Sequence, residues 1–340
     1  MKTVKIYVPT ILLELLLHRR EPYENFIKIL EKRYDLLLEL LKYARRHKVE
    51  YYVVDKIFKH SRKLQELAVF RRIFKHTIRY IHMLRRTLSF VKKSLEEIGV
   101  DFLVIKMYDG KYMHRTNDID ILVREEDVLD VVKYMLSEGM QALSHKIRLY
   151  KLKKLQYRPL EITFWRPFYL QIEIYANFSW AGLESLDTSF LWNNFRQMNI
   201  YGVPVKVPSF DCEILILSNH ILFKNGYISM LDYVYMYDII RYHGVNLDKI
   251  VEQAKKYLWH DELLYLLGMI INLGDKMQKG ELLTFPHFLP YGVVLRGFLN
   301  LLKLHITRGN ARIILRGLAG YSLMHTFILS IRRLNPILTM

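Results

Sequence analysis

Two carboxylates stand inside the apolar run Asn117-Asp118-Ile119-Asp120-Ile121-Leu122-Val123. A strand sends alternate side chains to opposite faces, so Asp118 and Asp120 share one face while Ile119 and Ile121 enter a core. Carboxylates held this close repel each other unless a cation sits beside them. Mg²⁺ is one solution, since it commonly takes one or two protein carboxylates together with substrate phosphates. An ion pair at a strand edge with Lys106 or Arg115 is the other.

The hydrophobic period around this run divides the chain into three stretches. Before Gly99, apolar residues recur at three- and four-residue spacing from Tyr23 to His47 and from Val54 to Ile98, which predicts helices. Pro22 suits a first helical turn. After Gly99 the period shortens. Val100–Ile105 and Asp118–Val123 read as strands joined through a turn at Asp109-Gly110. Glu125–Gly139 reads as an amphipathic helix closed by its glycine, followed by strand-like runs at Ala142–Tyr150, Leu160–Trp165 and Tyr169–Asn177. A mixed sheet with a flanking helix results. From Ser209 the helical period returns: Ser209 and Ser229 are N-cap candidates, the second with Asp232 three residues on. Gly226 is a C-cap candidate, and Leu263–Leu273 and Val293–His305 continue the pattern.

Charge bears on the partner rather than the fold. The chain of 340 residues carries a formal charge of +17, and 51% of its residues are apolar, ample for real cores. Between Glu31 and Glu97 eighteen Lys and Arg face eight Asp and Glu. That excess reads as a solvated helix face or as a surface for a polyanion, RNA first. Cys212 is the only cysteine, which excludes internal disulfides and a cysteine zinc site and suits a reducing, cytoplasmic setting. Met1–Val8 is too short and mixed for a signal peptide, and no transmembrane segment is expected. Gly317–Ile331, between Arg316 and Arg332, reads as a buried helix. Only seven glutamines beside abundant Lys, Arg, Tyr and Ile give a weak sign of a thermophilic source.

The ordered set of Lys106, Arg115 and Asp118-Ile119-Asp120-Ile121-Leu122-Val123 resembles the nucleotidyltransferase superfamily, with its DNA polymerase β-like fold. Within it the chain is similar to the NTP_transf_5 group over roughly residues 80 to 242. Ile172-Glu173-Ile174-Tyr175 stands for the later acidic strand, and Leu217-Ser218-Asn219-His220 and Tyr237-Asp238-Ile239-Ile240 for the downstream helices. The resemblance implies an α+β fold: a nucleotidyltransferase-like mixed sheet with flanking helices, plus N- and C-terminal helical regions. With the three stretches read above, this gives a basic helical region over 1–95, a nucleotidyltransferase-like catalytic domain over 96–208 and a C-terminal helical domain over 209–340. Mg²⁺ or Mn²⁺ would be held by Asp118, Asp120 and Glu173, which would also form the catalytic set, with Glu161 as a rival third acid. Lys106, Met107 and Arg115 would meet the nucleotide, Arg115 being suited to bidentate phosphate contact. The expected reaction moves a nucleoside monophosphate from an NTP to a hydroxyl, of RNA or tRNA, and releases pyrophosphate.

Two positions depart from the group's pattern. Met107 replaces a glycine, and a Cβ there can obstruct close approach of the backbone to phosphates. Tyr175 replaces a histidine. Met107 therefore keeps open a non-catalytic nucleotide- or RNA-binding module of the same fold, with a toxin-like enzyme modifying a partner protein as a third possibility. His220 and Asp238 read first as core or structural residues. Arg71 and His76 match the Arg-x4-His spacing of HEPN-type ribonucleases, although a helical support before the first strand explains that segment more simply.

Overall fold

The computed structural model describes residues 23–46, 48–108, 116–143, 161–180, 183–278 and 289–307. The expectations for Pro22, Asp109-Gly110, Arg115 and Gly317–Ile331, and for the run beyond Leu143, lie outside these residues.

The chain enters through helices α1 (Tyr23–Lys32), α2 (Tyr34–Arg46), α3 (Glu50–His60) and a single turn, α4 (Arg62–Gln65). The Tyr23–His47 stretch, expected as one helix, is divided at Arg33. The Leu37 amide still donates to the Arg33 carbonyl, so the break is a kink rather than an end. Helix α5 (Ala68–Glu97) follows, about 45 Å long at 1.5 Å per residue. Phe70, Ile73, Thr77, Tyr80, Leu84, Leu88, Val91 and Leu95 form its buried stripe at three- and four-residue steps. Gly99 ends it at φ +70°, and the Val100 amide reaches back to the Leu95 carbonyl.

The central sheet has the order β1-β2-β5-β4-β3, with β1 (Phe102–Ile105), β2 (Asp118–Val123), β3 (Gln141–Ala142), β4 (Glu161–Trp165) and β5 (Gln171–Tyr175). Strand β2 runs antiparallel to β1 and parallel to β5, so the sheet is mixed. Helix α6 (Val128–Ser137) fills the crossover after a 3₁₀ turn at Glu125–Asp127, and Gly139 follows it at φ +77°. One face of the sheet carries Val104, Ile119, Ile121, Ile162, Phe164, Ile172 and Ile174, all buried. Fully burying each such side chain is worth about 1.5–3 kcal/mol. Helix α5 packs there, and the Thr87 hydroxyl, which accepts from the Leu170 amide at 3.0 Å, ties it to the start of β5.

Two hairpins were absent from the sequence reading: β6 (Phe178–Trp180) with β7 (Leu183–Leu186), and β8 (Phe195–Ile200) with β9 (Val203–Pro208). A short α7 (Thr188–Trp192) lies between them, and β9 runs beside β1.

Helices α8 (Phe210–Asn219), α9 (Met230–Tyr242), α10 (Leu247–Lys255), α11 (His260–Gln278) and α12 (Tyr291–Thr307) complete the described chain. Ser209 caps α8, and Ser229 with Asp232 forms a full capping box on α9. Between them His220–Asn225 winds as a π-helix that ends at Gly226 with φ +66°. Gly274 faces the Tyr237 ring so closely that a Cβ would have no room. Buried Glu213 is held by the Arg196 guanidinium at 3.2 Å and by the Tyr235 hydroxyl.

Candidate active site

Register places the acidic residues. Asp120 on β2 is the direct neighbour of Glu173 on β5, and Asp118 is the neighbour of Gln171. Asp118, Asp120 and Glu173 share the sheet face opposite the isoleucines, and all three are half-buried. Glu161, the rival third acid, is the register partner of Tyr175 on β4, one strand farther from β2. The register therefore favours Glu173.

Lys106 comes from the turn after β1. It adopts φ +61° and Tyr108 adopts φ +48°, both in the left-handed region that side chains other than glycine enter at a cost. Tyr108 holds this turn in place. Its hydroxyl donates to the buried Asp232 carboxylate at 2.5 Å, and its ring meets Tyr235 edge-on at 5.2 Å. Burial, with Asp232 beside it, pushes the Tyr108 phenol far above its ordinary range, so it remains a donor. The Lys106 ammonium thus reaches the Asp120 carboxylate at 3.2 Å and the Tyr175 hydroxyl at 3.3 Å, and lies 4.7 Å from the Tyr175 ring centre.

Tyr175 is the hub of the site. Its hydroxyl donates to Glu173 at 2.8 Å and accepts from Lys106 and, at 3.5 Å, from Lys224. The residue that departs from the family pattern therefore links the acid on β5 to two cations. Its ring stacks at 6.2 Å on Phe178 of β6.

A cavity of about 200 Å³ opens against this hub. Lys106 and Tyr175 line it from the sheet side, Asn177 and Phe178 from the hairpin, and Asn219, His220 and Lys224 from the π-helical turn. Asn219 is fixed by donating to the Ser185 hydroxyl at 2.8 Å. His220 is held well below its usual pKa by burial first and then by Lys106, Lys224 and Lys48, so the imidazole stays neutral at physiological pH. Asp238 is not part of this cavity. It is buried and lies 3.8 Å from the His243 imidazole, a structural partnership. Burial pushes the Cys212 thiol up to about 12, which leaves it unreactive.

The remaining expected residues divide. Met107 is buried and does not line the cavity, and its φ is not positive; the left-handed turns fall on Lys106 and Tyr108 instead. Arg115 lies outside the described residues. On the Asp118 side, the Thr116 hydroxyl hydrogen-bonds the carboxylate. Lys224 was not foreseen. Its one sequence signal is its place four residues after His220, on the same helical side.

A family model described as uncharacterised nucleotidyltransferase matches residues 37–273. The chain belongs to this nucleotidyltransferase family. It is therefore a nucleotidyltransferase enzyme on an α+β fold, as the ordered motif implied. No curated protein matches the chain. Among solved structures it is similar to the lincosamide antibiotic adenylyltransferase LnuA with lincomycin bound: 14% identity, TM-score 0.32, 46% of this chain and 96% of that one. It is also similar to an antigenic nucleotidyltransferase-like protein from Paracoccidioides brasiliensis: 14% identity, TM-score 0.34, 58% of this chain and 91% of that one.

Nucleotidyltransferases generally use divalent metals, and the donor chemistry here suits one. Asp118, Asp120 and Glu173 are all hard oxygen donors on one face of adjacent strands. Among the described residues no three His, Cys, Asp or Glu side chains gather closely enough to hold an ion. Asp120 instead faces the Lys106 ammonium, and Glu173 faces the Tyr175 hydroxyl. No described helix is long and apolar enough to cross a membrane.

Proposed function

We propose that the chain transfers a nucleoside monophosphate from an NTP to a hydroxyl of RNA, with Asp118, Asp120 and Glu173 as the acidic set. The observation that carries this reading is the register of Asp120 beside Glu173, with Lys106 on Asp120 and Tyr175 on Glu173. An acceptor hydroxyl oxygen attacks the α-phosphorus, the bond to the bridging oxygen breaks and pyrophosphate leaves. Glu173, within reach of the acidic face, accepts the hydroxyl proton. Lys106 and Lys224 meet the triphosphate, and Arg115 adds a bidentate contact. Neutral His220 offers a hydrogen bond to the nucleotide without adding charge. Asp118, Asp120 and Glu173 are the residues that would hold Mg²⁺, and the bound ion would supply charge stabilisation to the transferring phosphate.

The +17 charge supports RNA over an uncharged small molecule as acceptor. The single, buried Cys212 supports a cytoplasmic setting. A role limited to binding rested on Met107, and that side chain is buried away from the cavity.

The test incubates the protein with α-phosphate-labelled NTPs, Mg²⁺ and total RNA. Label should enter RNA, and Asp118→Ala with Asp120→Ala should lower the rate by roughly 10²–10³-fold or more, as expected when preorganised electrostatic stabilisation is removed. Transfer that survives the double substitution contradicts the reading.

A further inference from the structure

We infer that a second site, outside the acidic face, docks single-stranded RNA: a platform made by Phe168 and the basic side of helix α5. It rests on the RNA-acceptor reading given above and adds to it the place where the acceptor strand lies.

Phe168 is the most exposed large apolar residue among those described, at 77%. It also sits at φ +67°, in the left-handed region where an aromatic residue is strained. The reason is the turn between β4 and β5. The Tyr169 amide donates to the Arg166 carbonyl at 3.2 Å, which puts Pro167 and Phe168 at its two central positions. Proline followed by a positive φ is the pattern of a type II turn, whose third position ordinarily takes glycine. A phenyl ring is thus held in solvent at a backbone position that disfavours it, without a packing gain. Such strain at an exposed loop tip points to a ligand contact.

The surroundings identify the ligand. Phe168 borders a cavity of about 450 Å³ whose other walls are His82, Met83, Arg85, Arg86 and Ser89, all on α5. No acid lines it. The 30-residue helix carries Arg71, Arg72, Lys75, Arg79, Arg85, Arg86, Lys92 and Lys93, and its only acids, Glu96 and Glu97, close its C-terminus. Beside the cavity, Arg86 and Arg166 lie 5.9 and 5.5 Å from the Tyr169 ring centre, and Phe90 packs on that ring at 5.3 Å. An exposed aromatic face beside anchored guanidinium groups is the combination that binds single strands, by base stacking and phosphate contact. Duplex RNA, read mainly by shape and backbone, would have no use for an exposed phenyl ring.

The platform also lies within reach of the acids. Three residue steps take the chain from Phe168 to Gln171, at most about 10 Å, and Asp118 is its register neighbour one strand spacing of about 4.8 Å beyond. At about 3.4 Å per stacked nucleotide, that is some four nucleotides. A strand stacked on Phe168 would have to pass the end of the sheet where β2 and β5 begin, from the α5 side to the acidic face, to bring its terminal hydroxyl to Asp118.

The test measures fluorescence anisotropy of a labelled 12-nucleotide single-stranded RNA on the full chain. Phe168→Gly is the informative variant, because glycine suits φ +67° and folding should not suffer. It should weaken binding on the order of tenfold, and Arg85→Ala with Arg86→Ala should lower the slope of log affinity against log salt by about 1.4. No RNA binding by the parent, undiminished binding by Phe168→Gly, or equal preference for duplex RNA would overturn the platform. Platform-dependent binding without transfer of label to RNA would leave the platform standing and remove RNA as the acceptor.

Discussion

The two faces of the central sheet are written by the same two strands, one residue out of step. On β2, Ile119 and Ile121 point to a core where both are essentially inaccessible, while Asp118 and Asp120 point to the half-buried face. On β5, Ile172 and Ile174 alternate in the same way with Glu173 and Tyr175. The apolar face is held by dispersion and water exclusion and tolerates no charge. The other face accumulates charges that only their mutual pairing makes tolerable, Lys106 with Asp120 and Tyr175 with Glu173. Strand geometry thus separates an apolar face from an acidic one within single strands, while the cations against the acidic face come from the turn after β1 and the π-helical turn.

The sharpest way to break this comparison is to exchange the characters of neighbouring residues. Ile121→Asp buries an unpaired carboxylate at a site with no measurable exposure and should cost more than about 4 kcal/mol in denaturant unfolding. Asp120→Asn, one residue away, should cost less, about 1–3 kcal/mol in the same experiment, since the amide still accepts from Lys106 but no longer balances its charge. Similar losses for both would mean that the acidic face is structural.

A smaller effect probes the cationic side of the cavity. His220 has a pKa depressed by burial and by three lysines. Below its unfolded value near 6.5 the unfolded chain takes up a proton that the folded chain refuses, so its contribution to stability is lost as pH falls through that value. Between pH 6.5 and 5.5 the parent should lose about 1 kcal/mol more than His220→Gln. Equal losses would show that His220 is not held neutral.

Much of this was legible in the sequence, for identifiable reasons. Strand β2 begins and ends where the alternation of Asp with Ile predicted, and the Ser229–Asp232 capping box and the Gly226 cap are local features that need no tertiary information. The hairpins were not legible. Phe195–Ile200 mixes arginine, glutamine and asparagine into a half-exposed strand, and β6 has only three residues, too few to set a period. Lys224 was invisible because its approach to Tyr175 depends on how the π-helical turn packs against the sheet. Met107 was misleading: its glycine-like position in the motif suggested contact with phosphates, whereas Tyr108 clamps the turn so that Met107 enters the core.

The central claim is that Asp118, Asp120 and Glu173 form a metal-nucleotide site in which Lys106 balances Asp120 when no ion is bound. Electron paramagnetic resonance of Mn²⁺ titrated into the protein with a non-hydrolysable NTP analogue tests it most directly. The parent should bind Mn²⁺ more tightly with the analogue than without it, and Asp118→Asn with Asp120→Asn should abolish that binding. Equal Mn²⁺ uptake by the parent and the double variant would contradict the account.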